Sequence, residues 1–109
     1  MNTERTTEQM LQDKGLNAPR LNPQHIDNTI VSEYYHVVPN TALTICVLTL
    51  QNGFQVTGEN ASVSLENFDE EIGRKTSREN ARDKIWVLEG YVLKQRLYIE
   101  SLFGTKESK

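Results

Sequence analysis

A chain of 109 residues makes one domain, and a hydrophobic content of 37% gives it a small core, for which self-association is the usual remedy. Fifteen acidic residues outnumber 12 basic ones, for a net charge of −3, which argues against non-specific DNA or RNA binding through a positive field. The single Cys excludes an intrachain disulfide and any Cys-rich zinc site, and it fits a reduced, intracellular setting.

Residues 1–20 read as a flexible polar tail, with a helical turn or two between Thr6 and Lys14 at most. The opening MNTERTTEQML has no apolar stretch of the signal-peptide kind. A single domain is expected over residues 21–104, with 105–109 a frayed end. It should begin with a short helix. Asn22 suits the N-cap and Pro23 the first helical position. Gln24 to Glu33 would follow, with Ile26 and Ile30 on one face and Asp27 near the positive end of the dipole. Tyr34 to Val38 is rich in aromatic and β-branched residues, and Pro39-Asn40 stops it, which predicts an extended segment or edge strand.

Thr41 to Ser62 predicts a β-hairpin turning at Asn52-Gly53. A two-residue type I′ turn there sets Gln51 against Phe54, Thr49 against Val56 and Val47 against Gly58. One face would then carry Ile45, Val47, Thr49, Phe54 and Val56, and the other Cys46, Leu48, Leu50, Gln55 and Thr57. The first strand is apolar on both faces, so it should be covered on both. Two strands alone are marginal, so a third strand or a partner should complete the sheet. The apolar run Ala42 to Leu50 is too short to span a bilayer.

Asn67 to Phe103 predicts one long helix. Ala81, Ile85, Leu88, Val92 and Ile99 recur at helical spacing, with Trp86, Leu93 and Leu97 beside them. Ser64, Glu66, Asn67 and Asp69 are all N-cap candidates, Asn67 with Glu70 resembling a capping box. Gly104 suits the position just past the end. Gly73 and Gly90 each cost about 1 kcal/mol relative to Ala inside a helix. Close packing explains them, or else a break near Gly90. The expected architecture is α+β: a short helix, an antiparallel hairpin with a possible third strand, and the long helix packed on the sheet.

Three clusters give a further lead: Asn52-Gly53-Phe54 with Val56-Thr57-Gly58-Glu59; Asn67-Phe68-Asp69 with Glu71 and Gly73-Arg74; and Ile85-Trp86 with Leu88-Glu89-Gly90-Tyr91 and Leu93. In this order they resemble a family of small, functionally uncharacterised proteins of tailed bacteriophages and prophages, over roughly Pro23 to Leu97. The resemblance implies a phage accessory protein acting in the cytoplasm of an infected bacterium. It brings no catalytic residues with it.

The residues themselves offer little catalysis. Cys46 sits mid-strand among apolar neighbours and reads as a core residue. His25 and His36, with Asp27 or Glu33 nearby, fit no standard metal spacing. Trp86 and Tyr91 read as core or interface anchors, since base stacking wants a positive surface around it. No catalytic residue, metal or cofactor is assigned, and no enzyme is expected.

Arg74, Arg78 and Arg82 repeat at i, i+4, i+8, a spacing that costs about 0.2–0.5 kcal/mol per like-charged pair. Arg74 has Glu70 and Glu71 behind it and Arg82 has Glu79, but Arg78 has no acid three or four residues away. At about 100° per residue, Arg78 shares its side with Ile85, Val92 and Arg96. Two readings stay open. The first half of the helix is solvated and projects past a small core, or the arginines face a partner. That partner would be an anion, a nucleotide phosphate, or acids such as Glu89 and Glu100 of a second copy. On the second reading Arg74, Arg78 and Arg82 bind ligand, and Ile85, Trp86, Glu89, Val92, Leu93 and Arg96 form an interface between copies.

The function expected is binding and neutralisation of a host factor, protein or anionic signalling molecule, a nucleotide used in host defence among the candidates. The alternatives are a self-assembling scaffold protein and, below it, a small nucleic-acid-binding regulator. A homo-oligomer is expected, with no membrane partner.

Overall fold

The computed structural model of the chain describes residues 3–14 and 19–104. The expectation for the end at 105–109 lies outside the described residues, as do the parts of the N-terminal tail at residues 1–2 and 15–18. Helix α1 (Thr3–Asp13) comes first, three turns where one or two were expected. It is tied to the domain by Arg20, whose guanidinium lies 2.7 Å from Glu8. Helix α2 is Pro23–Asn28, followed by strands β1 (Ile30–Val37), β2 (Leu43–Leu50) and β3 (Gln55–Ala61). After a turn of 3-10 helix at Leu65–Asn67 comes α3 (Glu70–Phe103). The sheet is an antiparallel meander in the order β1-β2-β3, and α3 packs on one face of it, an α+β fold.

Local signals set several boundaries. Asn22 caps α2, its side chain accepting from the His25 N–H at 2.8 Å, with Pro23 next in line. The helix ends five residues sooner than its spacing predicts. Thr29 closes it with its hydroxyl on the Ile26 carbonyl at 2.7 Å, and Ile30 already pairs with Leu50. The β-branched Ile30-Val31 step and a free edge of β2 favour pairing over another helical turn. Among the N-cap candidates Asp69 is the one used, accepting from the Ile72 N–H at 3.1 Å. Gly104 ends α3 in the left-handed region at φ 66°.

The hairpin differs from expectation by one residue. Its loop has three residues, Gln51 to Gly53. The Gly53 N–H donates to the Leu50 carbonyl and the Leu50 N–H to the Phe54 carbonyl, both at 2.8 Å. Asn52 accepts from the Phe54 N–H instead of taking a positive φ, and Gly53 alone in the loop is left-handed at φ 90°. This is a type I turn closed by a glycine bulge. It sets Leu48 against Val56 and Thr49 against Gln55. A one-residue slip moves every side chain of a strand to the opposite face. Val56 therefore joins Cys46, Leu48 and Leu50 beneath α3 and is 6% exposed.

The core holds Ile26, Cys46, Leu48, Leu50, Val56, Ala81 and Ile85. α3 approaches β3 most closely at Gly58, where a Cβ would collide with the Ser77 carbonyl oxygen and the Ala81 nitrogen. Small residues on both sides, Gly58 against Ser77 and Ala81, let the helix lie directly on the strand. Among the described residues, β2 is covered on one face and not on both as expected. Residues Ile45 and Val47 lie half-buried on the outer face, beside the exposed Tyr34 of β1.

α3 runs unbroken through Gly73 and Gly90. Its 34 residues make a rod of about 50 Å, against about 26 Å for an eight-residue strand. The second half therefore overhangs the sheet. A Cβ at Gly90 would meet nothing nearer than Leu21 Cδ1 at 4.0 Å, an ordinary contact. Gly90→Ala should therefore stabilise the fold by about 1 kcal/mol through helix propensity, raising Tm by about 5 °C in a thermal melt. A lower Tm would mean that the helix needs a soft point there.

Candidate functional site

The arginine stripe faces groups of its own chain. Glu33 and Tyr35 alternate onto the face of β1 that meets α3, because residues two apart in a strand share a face. Arg78 Nε and Nη2 each lie 3.0 Å from Glu33 Oε2. The Tyr35 hydroxyl donates to Glu33 Oε1 at 2.8 Å, and the Arg74 guanidinium stands 4.9 Å over the Tyr35 ring. One helical turn later, Arg82 Nε donates to Asp27 Oδ1 at 2.8 Å and Nη2 to the Pro23 carbonyl at 3.3 Å. The stripe thus fastens α3 to β1 and to α2, and acids from both offset its self-repulsion.

These contacts shift the groups involved. The hydrogen bond from Arg78, then that from Tyr35, holds the Glu33 carboxyl below the usual glutamate range. Burial, then the bond to Glu33, pushes the Tyr35 phenol up. Burial pushes up the thiol of Cys46, which is fully buried. A carboxylate with a depressed folded pKa adds stability above its unfolded pKa of about 4.3, and that stability is lost as pH falls through the folded value. Glu33 is partly exposed, so the amount is small. Glu33→Gln should lower stability by about 0.5 kcal/mol at pH 7 and by almost nothing at pH 2, as read by urea melts. An equal loss at both pH values would show that the charge pair is not what Glu33 supplies.

The proposed interface residues are dispersed. Ile85 is fully buried in the core of the single chain, so it is out of reach of a second copy while the domain is folded. Its position four residues after Ala81 and three before Leu88 is the same in a core stripe and in an interface stripe, so spacing alone does not separate the two. Trp86 is half-buried over the core and lines a hollow of about 430 Å³ with Leu11 and Leu21. Glu89 Oε1 lies 3.0 Å from His25 Nε2. Leu93 is half-buried in a hollow of about 410 Å³ with Pro19 and Leu21. Val92 is 56% exposed, and Arg96 is exposed with a loose 4.0 Å contact to Glu100.

A cleft of about 610 Å³ lies between the hairpin tip and the middle of α3. Leu50 and Phe54 form one wall, Leu88, Tyr91 and Val92 the other, and the His25–Glu89 pair closes one end. Past it the helix displays Tyr98, Ile99, Leu102 and Phe103, all exposed. In the sequence the hairpin tip has the marks of a plain turn, and the one signal of the cleft is Phe54, an exposed apolar residue next to the loop. Among the described residues no group of three or more His, Cys, Asp or Glu is placed to hold a metal ion, and no helix is long and apolar enough to cross a membrane.

The profile of the family described as Phage protein (N4 Gp49/phage Sf6 gene 66) matches residues 21–97. The chain belongs to this phage protein family. The matched span covers α2, the whole sheet and α3 as far as Leu97, so the arginine stripe, the cleft and the outer sheet face all fall within the family's domain. Helix α1 and the last residues of α3 lie outside it. No curated protein and no solved structure matches the chain.

Proposed function

We propose that the protein is a non-enzymatic phage accessory protein that acts in the host cytoplasm by binding and neutralising a host protein. The observation that carries this reading is the bare outer face of the sheet. β2 is apolar on both sides, as a strand covered twice would be, yet α3 covers only one. The other side sets Ile45 and Val47 at the centre, Tyr34 beside them at 61% exposed, and His36, Thr57 and Glu59 around the rim. An apolar centre with an aromatic anchor and a polar rim is the usual make-up of a protein-binding surface.

The groups with chemical potential support binding over catalysis. Cys46 is sealed in the core and Tyr35 is held by Glu33. A protein target is favoured over an anionic signalling molecule. Such an anion would have to displace Glu33 from Arg78 and Asp27 from Arg82, at the expense of the contacts that hold α3 in place. The test is affinity capture from infected host lysate with the wild type and with Tyr34→Asp, both verified as folded by circular dichroism. The reading expects one host protein to be enriched by the wild type and lost with the variant, and no heat on titration with cyclic or linear nucleotides. Capture unaffected by Tyr34→Asp, or nucleotide binding abolished by Arg78→Ala, would overturn it.

A further inference from the structure

We propose that the free half of α3 pairs antiparallel with the same half of a second copy of the chain, with Leu88 against the partner's Ile99 and Val92 against the partner's Gln95. This goes beyond the reading above and uses a different surface, so either can fail without the other.

The first support is continuity. The stripe that buries Ser77, Ala81 and Ile85 against the sheet runs on past the hairpin tip. Leu88, Val92, Gln95, Ile99 and Leu102 follow at steps of four, three, four and three, the spacing of a coiled-coil seam. On the overhang that stripe has left the sheet behind: Val92 is 56%, Ile99 43% and Leu102 61% exposed.

The second support is charge, and it selects both direction and register. Glu89 and Arg96, seven apart, flank the seam on one side, and Tyr91 and Tyr98, also seven apart, flank it on the other. In the antiparallel register stated, each Glu89 lies beside the partner's Arg96 and each Tyr91 beside the partner's Tyr98. A two-fold axis makes each pair twice. Sliding the helices one heptad further apart brings Arg96 against the partner's Arg96. A parallel pairing sets the charges opposite tyrosines and stacks Gln95 on the partner's Gln95. Neither alternative satisfies Arg96, whose contact within its own chain is the loose one to Glu100 at 4.0 Å.

The third support is the cleft of about 610 Å³. It opens beside Leu88 and Val92, where the end of the partner's helix arrives. Its walls at Leu50 and Phe54 receive the partner's Ile99 and Leu102, covering apolar surface on both chains at once.

Sedimentation equilibrium over a concentration series tests this on the full chain. The wild type should be a dimer, and Val92→Glu or Leu102→Glu a folded monomer, since both side chains are exposed in the single chain. Glu89→Arg alone and Arg96→Glu alone should each weaken association by about tenfold or more. Mixed in equal amounts, the two variants should form a heterodimer as tight as the wild type, because every reversed charge then meets its opposite. A wild type that stays monomeric at its highest soluble concentration overturns the proposal. So does a dimer indifferent to both reversals, or a mixture that recovers nothing.

Discussion

Gly58→Ala should destabilise the domain by about 3 kcal/mol and lower its Tm by on the order of 15 °C. The added methyl has no space. It would meet the Ser77 carbonyl oxygen and the Ala81 nitrogen, both backbone atoms of α3 that no rotamer change can move aside. The helix would have to lift from β3, and lifting it uncovers Ala81, Val56 and part of Ile85 together. The contrast with Gly90→Ala is the sharper test, since the same substitution in the same protein is expected to have opposite signs at the two sites. Thermal melts of both variants decide it. A Gly58→Ala protein as stable as the wild type would mean that α3 does not rest on β3 as described.

Ile85→Ala should cost about 3 kcal/mol, a typical loss for truncating a fully buried aliphatic side chain. Ile85 sits between the helix-bearing side of the sheet and α2, in the cluster with Ile26 and Leu48. An interface residue would behave differently, because its loss would shift association and leave the stability of the dilute chain almost unchanged. Val92→Ala is the matched control, with an expected change within about 0.5 kcal/mol at low concentration. Urea denaturation of dilute Ile85→Ala and Val92→Ala gives both values. Equal effects would remove the distinction between the packed and the overhanging halves of the helix.

That division was half legible in the residues. The long helix and β2 could be read directly. One has sustained helical spacing and the other an unbroken β-favourable run, and long periodic segments carry the clearest signal. The start of β1 was hidden because Ile26 and Ile30, four apart, imitate a helix face, and only pairing with Leu50 shows that Ile30 belongs to the sheet. The hairpin register turned on one residue. Asn52-Gly53 supports a two-residue or a three-residue loop on local grounds, and burial of Val56 selects the second.

The arginine stripe shows where sequence reading stops. Its phase on the helix was correct, but its partners came from far away along the chain. Glu33 precedes Arg78 by 45 residues and Asp27 precedes Arg82 by 55. A search three or four residues on either side finds only partners on the helix itself. Knowing that β1 begins at Ile30 would not be enough, because plain alternation from Ile30 sends Tyr34 under α3. The irregularity between Ile30 and Ser32 shifts the register by one and puts Glu33 and Tyr35 there instead, opposite Leu48 and Cys46.

The sheet holds the first half of α3, and the proposed pairing needs the second half free for another copy. Amide hydrogen exchange along the helix at two protein concentrations tests this directly. Amides from Ser77 to Leu88 should exchange only through global unfolding at both concentrations, and those from Leu93 to Phe103 should be fast when dilute and slow when concentrated. Protection beyond Leu93 that ignores concentration, or a helix that exchanges as one unit throughout, would contradict it.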